Sequence, residues 1–252
     1  MKNSHEVLVE SQFGDRAQAY LSSNVHAQGA DLQRLREWLN GDAHARLLDI
    51  GCGAGHASFA AADKVAQVTA YDLSEKMLAV VRQAASERGL TNLTTAHGPA
   101  EALPFADASF DVAISRYSAH HWHDVGLALR EIKRVLKPGG KFILMDMVSP
   151  GQPVLDVWLQ TVEMLRDPSH VRDYSQGEWL SMINQSGLFV DRLVVDRLDL
   201  EFRSWIERMQ TPQTLAQAIR LLQEKASDSV KEHFAVQPDG SFSADTLMIQ
   251  AG

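Results

Sequence analysis

The order of apolar and polar positions along the first part of the chain predicts strands alternating with helices. The short apolar runs that are typical of buried strands lie at 46–50, 65–71, 93–96, 110–115 and 141–147. Before and between these runs, apolar residues recur at helical spacing. Examples are residues 31–39, and Leu129 to Leu136 before Pro138. Strand and helix repeated with short connections favour an α/β fold, in which helices cover both faces of a mostly parallel, Rossmann-like sheet.

The second half of the chain is less regular. Residues 155–165 predict an amphipathic helix, and Ser175 with Glu178 fits the capping box of another helix that Gly187 ends. The remaining predicted elements are closing strands at 189–202 and 242–249, with helices at 205–210 and 214–233 between them.

Composition narrows the class of protein. The chain has 252 residues and a net charge of −8, which disfavours a protein that binds nucleic acid through its phosphates. The one cysteine, Cys52, excludes an internal disulfide and leaves a cysteine-based metal cluster without partners. No apolar run reaches the roughly 18 residues that a membrane span needs, and residues 1–20 have no apolar signal core. We therefore expect a soluble cytoplasmic protein.

A glycine-rich turn follows the first predicted strand, at 51–55 in the sequence LLDIGCGAGHAS. Glycines at the carboxyl end of such a strand let the backbone pass close to a ligand, and open α/β sheets bind their ligands at this edge. Asp72 ends the next strand, where a carboxylate can accept hydrogen bonds from both hydroxyls of a ribose. The pattern predicts a site for an adenosine-containing ligand.

The identity of that ligand depends on spacing and charge. A pyrophosphate favours G-x-G-x-x-G, whereas this turn has the spacing G-x-G-x-G. Asp49 precedes the turn, and its charge would repel a pyrophosphate while suiting a sulfonium cofactor with an ammonium group. S-adenosylmethionine is therefore the preferred ligand over a dinucleotide.

These segments together resemble the class I S-adenosylmethionine-dependent methyltransferases. The first motif of this family is similar to residues 47–55, and its ribose motif to 71–74. Its adenine-side motif is similar to 98–105, the start of its fourth strand to 110–111, and its turn before strand five to 136–140. The small-molecule branch that includes ubiquinone/menaquinone-biosynthesis C-methyltransferases is the most similar, through 130–140 and His120-His121. The resemblance implies the strand order 3-2-1-4-5-7-6 with an antiparallel seventh strand.

The resemblance also implies a single methyltransferase domain over 1–252. Its parts would be an N-terminal helical lid at 1–40, a cofactor-binding core at 45–147, and acceptor-side helices and closing strands at 148–252. Pro99 stands where the family often has an acid for the adenine, so that contact would fall to Ala100 or Glu101. The residues expected to bind the cofactor are Tyr20, Asp49, Gly51, Cys52, Gly53, Asp72, Leu73, Met77, Ala100, Glu101, Ser115 and Arg116.

Methyl transfer from a sulfonium depends mainly on alignment, so no conspicuous catalytic triad is expected. His120 and His121 are the candidate general bases, because imidazole titrates near neutral pH. With His123 they are too crowded to suggest a metal site, so no metal is predicted. His170, Arg172 and Tyr174 are candidate contacts to the acceptor, in a polar and aromatic loop between two helices.

The predicted function is methyl transfer to a small-molecule acceptor, with S-adenosylhomocysteine as the product and without a nucleic-acid partner. Two alternatives stay open at this point: an NAD(P)-dependent oxidoreductase, and a non-catalytic protein that binds S-adenosylmethionine. The sequence also leaves open a homodimer, the identity of the acceptor, and whether carbon, oxygen or nitrogen receives the methyl group.

Overall fold

The computed structural model describes residues 4–14 and 29–252, and in them a seven-stranded sheet forms the centre of the protein. The strand order is β3-β2-β1-β4-β5-β7-β6, and β7 runs antiparallel to both of its neighbours. The strands are β1 Arg46–Ile50, β2 Gln67–Asp72, β3 Leu93–His97, β4 Phe110–Arg116, β5 Leu136–Met147, β6 Val190–Leu200 and β7 Phe242–Ala251. The predicted fold class and strand order are confirmed.

Helices flank this sheet and close its second half. They are α1 Ser4–Gly14, α2 Ala30–Trp38, α3 His56–Ala61, α4 Glu75–Glu87, α5 Val125–Val135, α6 Pro153–Arg166, α7 Gln176–Gln185, α8 Phe202–Met209, α9 Gln213–Lys225 and α10 Asp228–His233. A 3-10 turn, Ala119–His121, follows β4. No helix in the described ranges is long and apolar enough to cross a membrane.

The strands are apolar throughout because both faces of the sheet are covered. Leu48 and Ile50 of β1 pack on one face against the apolar sides of α5 and α7. Leu47 of the same strand packs on the other face, with Leu35 of α2 and Ala61 of α3. All of these side chains are buried, as expected for a parallel sheet between two helical layers.

The second half of the chain has a core of its own at the end of β6 and β7. Trp158 of α6 packs on Phe234 and on Phe242 of β7, with ring centroids 4.5 and 5.7 Å apart. Trp205 of α8 meets Phe242 edge-on at 5.1 Å. These aromatic contacts hold the helices that follow β6 against the edge of the sheet.

Side-chain caps mark the starts of three helices, α4, α5 and α7. Ser74 accepts a hydrogen bond from the amide of Met77 at the start of α4, and Asp124 accepts one from Leu127 at the start of α5. At α7 the capping box is complete, since Ser175 accepts from the amide of Glu178 while the Glu178 carboxylate accepts from the amide of Ser175.

Two of the differences between predicted and observed boundaries have a clear structural reason. The helix predicted at 214–233 is two helices, because Ala226 and Ser227 adopt extended conformations with ψ of 148° and 160°. The bend lets Val230 and Phe234 turn into the core around Trp158. The fifth strand begins at Leu136, earlier than predicted, because Leu136 pairs with Phe110 before a bulge brings Lys141 opposite Val112.

The capping box provides a test of the fold. Replacing Ser175 with Ala removes the side-chain acceptor at the start of α7, so Ser175→Ala should lower the free energy of unfolding by about 1 kcal/mol. The matched control is Ser181→Ala, at an exposed position within the same helix. Urea denaturation of both variants measures the difference, and equal midpoints would contradict the stabilising role of the cap.

Candidate active site

A cavity of about 1100 Å³, counted to its open mouth, lies at the carboxyl ends of β1, β2 and β4. This is the edge of the sheet at which α/β proteins bind ligands. Its floor is the glycine turn that follows β1, and one wall comes from the loop that follows β3. The rest of the lining follows β4 or belongs to α1.

The glycine turn is held open by a steric constraint at Gly51. Its φ is +66°, and a Cβ atom added there would lie 1.8 Å from the Oγ atom of Ser118. The amides of Gly51 and Cys52 both donate to the carbonyl of Tyr71, at 2.8 and 3.0 Å, which fixes the turn to the end of β2. The backbone therefore passes beside the cavity without a side chain between them.

Asp49 lies under this turn, and its side chain is fully buried. Its Oδ2 atom accepts a hydrogen bond of 2.6 Å from Ser58, whereas its Oδ1 atom has no hydrogen-bond partner among the described residues. Burial raises the pKa of Asp49 to about 7, helped by the charge of Asp72 and opposed by Ser58. A buried carboxylate with a bare oxygen at the cavity wall is suited to a cationic ligand.

Asp72 ends β2 on the opposite side of the turn. Its Oδ2 atom accepts from the amide of Gly53, and its Oδ1 atom accepts from the amide of Ser74, both at 2.8 Å. Burial raises the pKa of this carboxyl, while the two backbone hydrogen bonds oppose the shift. Each carboxylate oxygen can accept a further hydrogen bond, so the fixed carboxylate can still bind two ligand hydroxyls.

The loop after β3 forms the wall beside Asp72. Gly98 has a φ of +153°, and a Cβ atom there would lie 2.3 Å from the Tyr71 hydroxyl. That hydroxyl donates to the carbonyl of Pro99 at 3.0 Å and so holds the loop in place. Glu101 reaches from this loop to accept a hydrogen bond from the amide of Asp124. Ala100 and Glu101 both line the cavity.

The chain leaves β4 through a strained residue. Tyr117 has a φ of +49°, which is uncommon for a residue with a side chain, and its amide donates to the carbonyl of Met145. Arg116 before it pairs with Asp31 of α2 in a nearly buried ion pair through two guanidinium nitrogens. The geometry turns Arg116, Tyr117 and Ser118 toward the cavity.

Helix α1 forms a further part of the lining. His5, Glu6, Val9 and Phe13 face the cavity. The ring of His5 makes a 2.8 Å hydrogen bond with the carbonyl of His121, and Phe13 meets the ring of His121 edge-on at 4.9 Å. The N-terminal helix is thus attached to the segment that follows β4.

His120 and His121 have different environments although they are adjacent. Burial alone would lower the pKa of His120, but Asp146, whose Oδ1 atom lies 2.6 Å from His120 Nδ1, raises it to about 9. Burial and the neighbouring His120 charge lower the pKa of His121 to about 4. His121 Nδ1 lies 3.0 Å from the Ser169 carbonyl, which can only accept, so this nitrogen carries the proton. At neutral pH the first histidine is a cation and the second is neutral.

His170, Arg172 and Tyr174 are not brought to the cavity. The buried ring of His170 bonds to Gln160, and Arg172 is paired with Glu178 and Asp156. Tyr174 meets Trp179 edge-on at 5.4 Å. The contacts they make hold the loop between α6 and α7, so their placement gives no support to the predicted contact with an acceptor.

Comparisons with known proteins agree with this geometry. A family model described as a methyltransferase domain matches residues 48–144. The chain is 59% identical over 201 residues to the Uncharacterized protein YafE of Escherichia coli, covering 80% of this chain and 97% of that one. It is 38% identical over 227 residues, 90% of each chain, to the Uncharacterized methyltransferase YcgJ of Bacillus subtilis. The crystal structure of YcgJ superposes with a TM-score of 0.84 at 37% identity, covering 87% of this chain and 96% of that one.

The chain belongs to the class I S-adenosylmethionine-dependent methyltransferases. S-adenosylmethionine is the methyl donor of this family and S-adenosylhomocysteine is its product. The menaquinone branch is among the relatives, since a demethylmenaquinone methyltransferase of Listeria monocytogenes is 30% identical over 177 residues, 66% of this chain and 72% of that one. The resemblance stated from the sequence is confirmed.

Most of the residues predicted to bind the donor line the cavity of this methyltransferase. They are Asp49, Gly51, Cys52, Gly53, Asp72, Leu73, Met77, Ala100, Glu101 and Arg116. Ser115 is buried behind the lining, and Tyr20 lies outside the described residues. His121 lines the cavity and His120 lies behind it.

Sequence reasoning missed other parts of the methyltransferase site. The contact of Ser58 with Asp49 had no signal beyond a small polar residue in an apolar helix. For Asp146 the sequence did contain a signal, because an acid in the buried run FILMDM at the end of a strand needs a polar or charged partner. The contributions of His5 and Phe13 depend on where α1 lies, which local patterns do not indicate.

The state of Asp49 can be tested through the pH dependence of stability. Its carboxyl is protonated up to about pH 7 in the folded protein, whereas in the unfolded chain it ionises near the ordinary aspartate pKa of 3.8. The folded state therefore holds an extra proton between these values, and the free energy of unfolding falls as the pH rises through that window.

The measurement is urea denaturation of the wild type and of Asp49→Asn, which cannot ionise, at several values between about pH 5 and about pH 8. The variant should become more stable relative to the wild type as the pH rises. The control is Ser181→Ala, at an exposed position without a titratable side chain, which should keep a constant difference. A pH-independent difference for Asp49→Asn would show that this carboxyl does not titrate in the window.

Proposed function

We propose that this methyltransferase binds S-adenosylmethionine with the methionine end on Asp49 and transfers the methyl group to a small-molecule acceptor. The observation that carries the proposal is the bare, buried Oδ1 atom of Asp49 beneath the glycine turn. An uncompensated carboxylate oxygen at a cavity wall costs stability unless a cation occupies the position next to it. The ammonium and sulfonium groups of the donor supply that positive charge, with Gly51, Cys52 and Gly53 as the floor.

Asp72 is the proposed ribose ligand. Its carboxylate is fixed by the amides of Gly53 and Ser74 and faces the cavity with acceptor capacity left on both oxygens. Leu73 and Met77 line the same side and provide apolar contact for the nucleoside. For the adenine ring we propose the segment Ala100 and Glu101, which the Tyr71 hydroxyl positions through the Pro99 carbonyl.

The methionine end would extend toward the end of β4. There Arg116 lines the cavity, and Ser115 stands directly before it with its own hydroxyl buried. We propose that the backbone at these two residues contacts the donor. Tyr20, outside the described residues, stays a predicted contact from the N-terminal segment.

Two features support a small acceptor over a macromolecule. Helix α1 forms part of the lining, which leaves the reacting end enclosed by residues of this chain. The net charge of −8 is unfavourable for a nucleic acid substrate. We propose that the chain works as one domain, in which 45–147 binds the donor, the N-terminal segment covers it, and 148–252 faces the acceptor.

The reaction requires alignment of a nucleophile with a methyl group that is already activated. The bound donor supplies a methyl group on a positively charged sulfur. His121 lies at the reacting end, and its neutral ring can accept a proton, although its low pKa restricts it to acidic acceptors. His120 is protonated at neutral pH, because Asp146 raises its pKa, so we propose that it donates a hydrogen bond and does not act as a base.

The role of Asp72 gives a direct test of donor binding. Asp72→Ala removes the acceptors for both ribose hydroxyls and should weaken the affinity for S-adenosylhomocysteine at least about tenfold. Asp72→Asn keeps one acceptor oxygen and should fall between the wild type and Asp72→Ala. Isothermal titration calorimetry measures the three dissociation constants.

The matched control is Asp191→Ala, an exposed position at which the affinity should not change. Circular dichroism must show that each variant is folded before affinities are compared. Unchanged affinity in folded Asp72→Ala would remove this carboxylate from the site, and binding of NADH without binding of S-adenosylhomocysteine would overturn the proposed donor pocket as a whole.

A further inference from the structure

A second cavity, of about 540 Å³ counted to its open mouth, lies beside the donor cavity between the end of β5, the end of β6 and helix α8. Its walls include four apolar side chains, Met147, Leu198, Leu200 and Trp205, together with the charged Arg166, Asp167 and Arg208. The walls are suited to a flat, apolar body.

The two cavities share Phe13, Tyr117 and His121 in their linings. The second cavity is therefore adjacent to the reacting end of the donor cavity, and in the part of the chain that the structure describes these three side chains contact both. Methyl transfer requires the donor and acceptor to meet in line at such a boundary.

His120 lines the second cavity and not the first. Its Nδ1 atom is held by Asp146 Oδ1 at 2.6 Å, and its backbone amide donates to Asp146 Oδ2 at 3.3 Å. Its carbonyl accepts from the amides of Val171 and Arg172, so the residue is fixed on both sides. No described residue makes a hydrogen bond with its Nε2 atom. The ring is thus anchored at one nitrogen with the other available to a ligand.

The charges around His120 come from several elements. Asp146 of β5 and Glu163 of α6 are buried near it and favour its cationic form, as does Asp173 of the loop after α6. The ring of His170 lies 5.9 Å away, between the centroids, and that of His121 lies 4.2 Å away. Asp146 is the closest of these groups and bonds directly to the Nδ1 atom, so the imidazolium is the form that the surroundings favour.

The other charged groups of the second cavity have partners on the protein. Arg166 donates from Nε to the Trp205 carbonyl and from Nη1 to Glu163, with its guanidinium over the Trp205 ring at 4.9 Å. Asp167 accepts from the amide and the hydroxyl of Ser169. Arg208 of α8 also lines the cavity. The Nε2–H group of His120 can donate to one ligand oxygen.

We propose that the second cavity binds the methyl acceptor and that His120 Nε2 pairs with its oxyanion, so that the acceptor is a small apolar ring compound with an acidic hydroxyl, a phenol or an enol. This inference rests on the proposed function. The acceptor binds as the anion, having released its proton to solvent. An electron pair of the oxyanion, or of the enolate carbon next to it, forms the bond to the methyl carbon. The methyl–sulfur bond breaks and its electron pair stays on sulfur, while His120 keeps its proton.

The test uses 4-nitrophenol, a small flat phenol whose anion absorbs visible light. It is titrated into the protein saturated with S-adenosylhomocysteine, and its absorbance is followed against pH. Pairing with a fixed cation should lower the apparent pKa of the bound phenol by at least about one unit. An unshifted pKa, or no binding to the loaded protein, would overturn the proposal.

Two variants test separately the charge pairing of the probe with His120 and the fit of the probe in the second cavity. His120→Gln keeps a neutral donor but loses the charge, so the pKa shift of the probe should disappear; a shift that persists would exclude His120. Leu198→Trp should fill the cavity and weaken probe binding at least about tenfold, whereas Leu221→Trp, at an exposed leucine of α9, should not. Probe binding unaffected by Leu198→Trp would place the acceptor elsewhere.

Calorimetry with S-adenosylhomocysteine distinguishes failure of the acceptor inference from failure of the proposed function. His120→Gln and Leu198→Trp should bind it within about twofold of the wild type, because neither residue lines the donor cavity. If the wild type binds S-adenosylhomocysteine and the phenol is not shifted, the acceptor inference fails and the donor assignment stands. If S-adenosylhomocysteine itself does not bind, the proposed function fails.

Discussion

The buried carboxylate of Asp49 is the constraint on which the proposed donor site depends. Asp49 is the fourth residue of β1, and Leu47, Leu48 and Ile50 beside it are buried under the helices on the two faces of the sheet. The carboxylate is therefore buried as a consequence of the fold. Ser58 compensates one oxygen and leaves the other to the cavity wall. Because the glycine turn directly above it has no side chain, a ligand can reach that oxygen. The fold therefore places a buried carboxylate at the position where we propose that the cationic donor binds.

The two histidines after β4 illustrate how one local sequence gives two electrostatic states. They are neighbours in a single turn, yet Asp146 keeps one protonated while burial keeps the other neutral. Each state stabilises the other, because the charge on His120 opposes protonation of His121. Pairs of titratable groups whose pKa values are driven apart in this way are a recurring feature of catalytic sites. The protonation states differ because His120 contacts Asp146 of β5, whereas His121 contacts the Ser169 carbonyl in the loop after α6.

The sequence was sufficient for those parts of the protein that short-range chemistry determines. The glycine turn, Asp72 at the end of β2 and the cap at Ser175 all lie within a few residues of what they contact, and the structure has them as predicted. The family resemblance supplied the strand order, which no local pattern contains. Asp146 and His120 are 26 positions apart, and Arg116 and Asp31 are 85 apart, so pairing of this kind emerged only with the fold. The loop with His170 looked like an acceptor contact because polar and aromatic residues between helices fit both a ligand and a network of internal hydrogen bonds.

The strand order also has a consequence for synthesis. β6 touches the rest of the sheet only through β7, which is made some forty residues later. While the ribosome extends the chain, strands β1 to β5 can already pair, and with them the turn, Asp49 and Asp72 are in place. Leu198 and Leu200 acquire their neighbours only when β7 inserts. The described residues that line the first cavity all precede β5, so its walls can be assembled before Leu198 and Leu200 complete the second cavity.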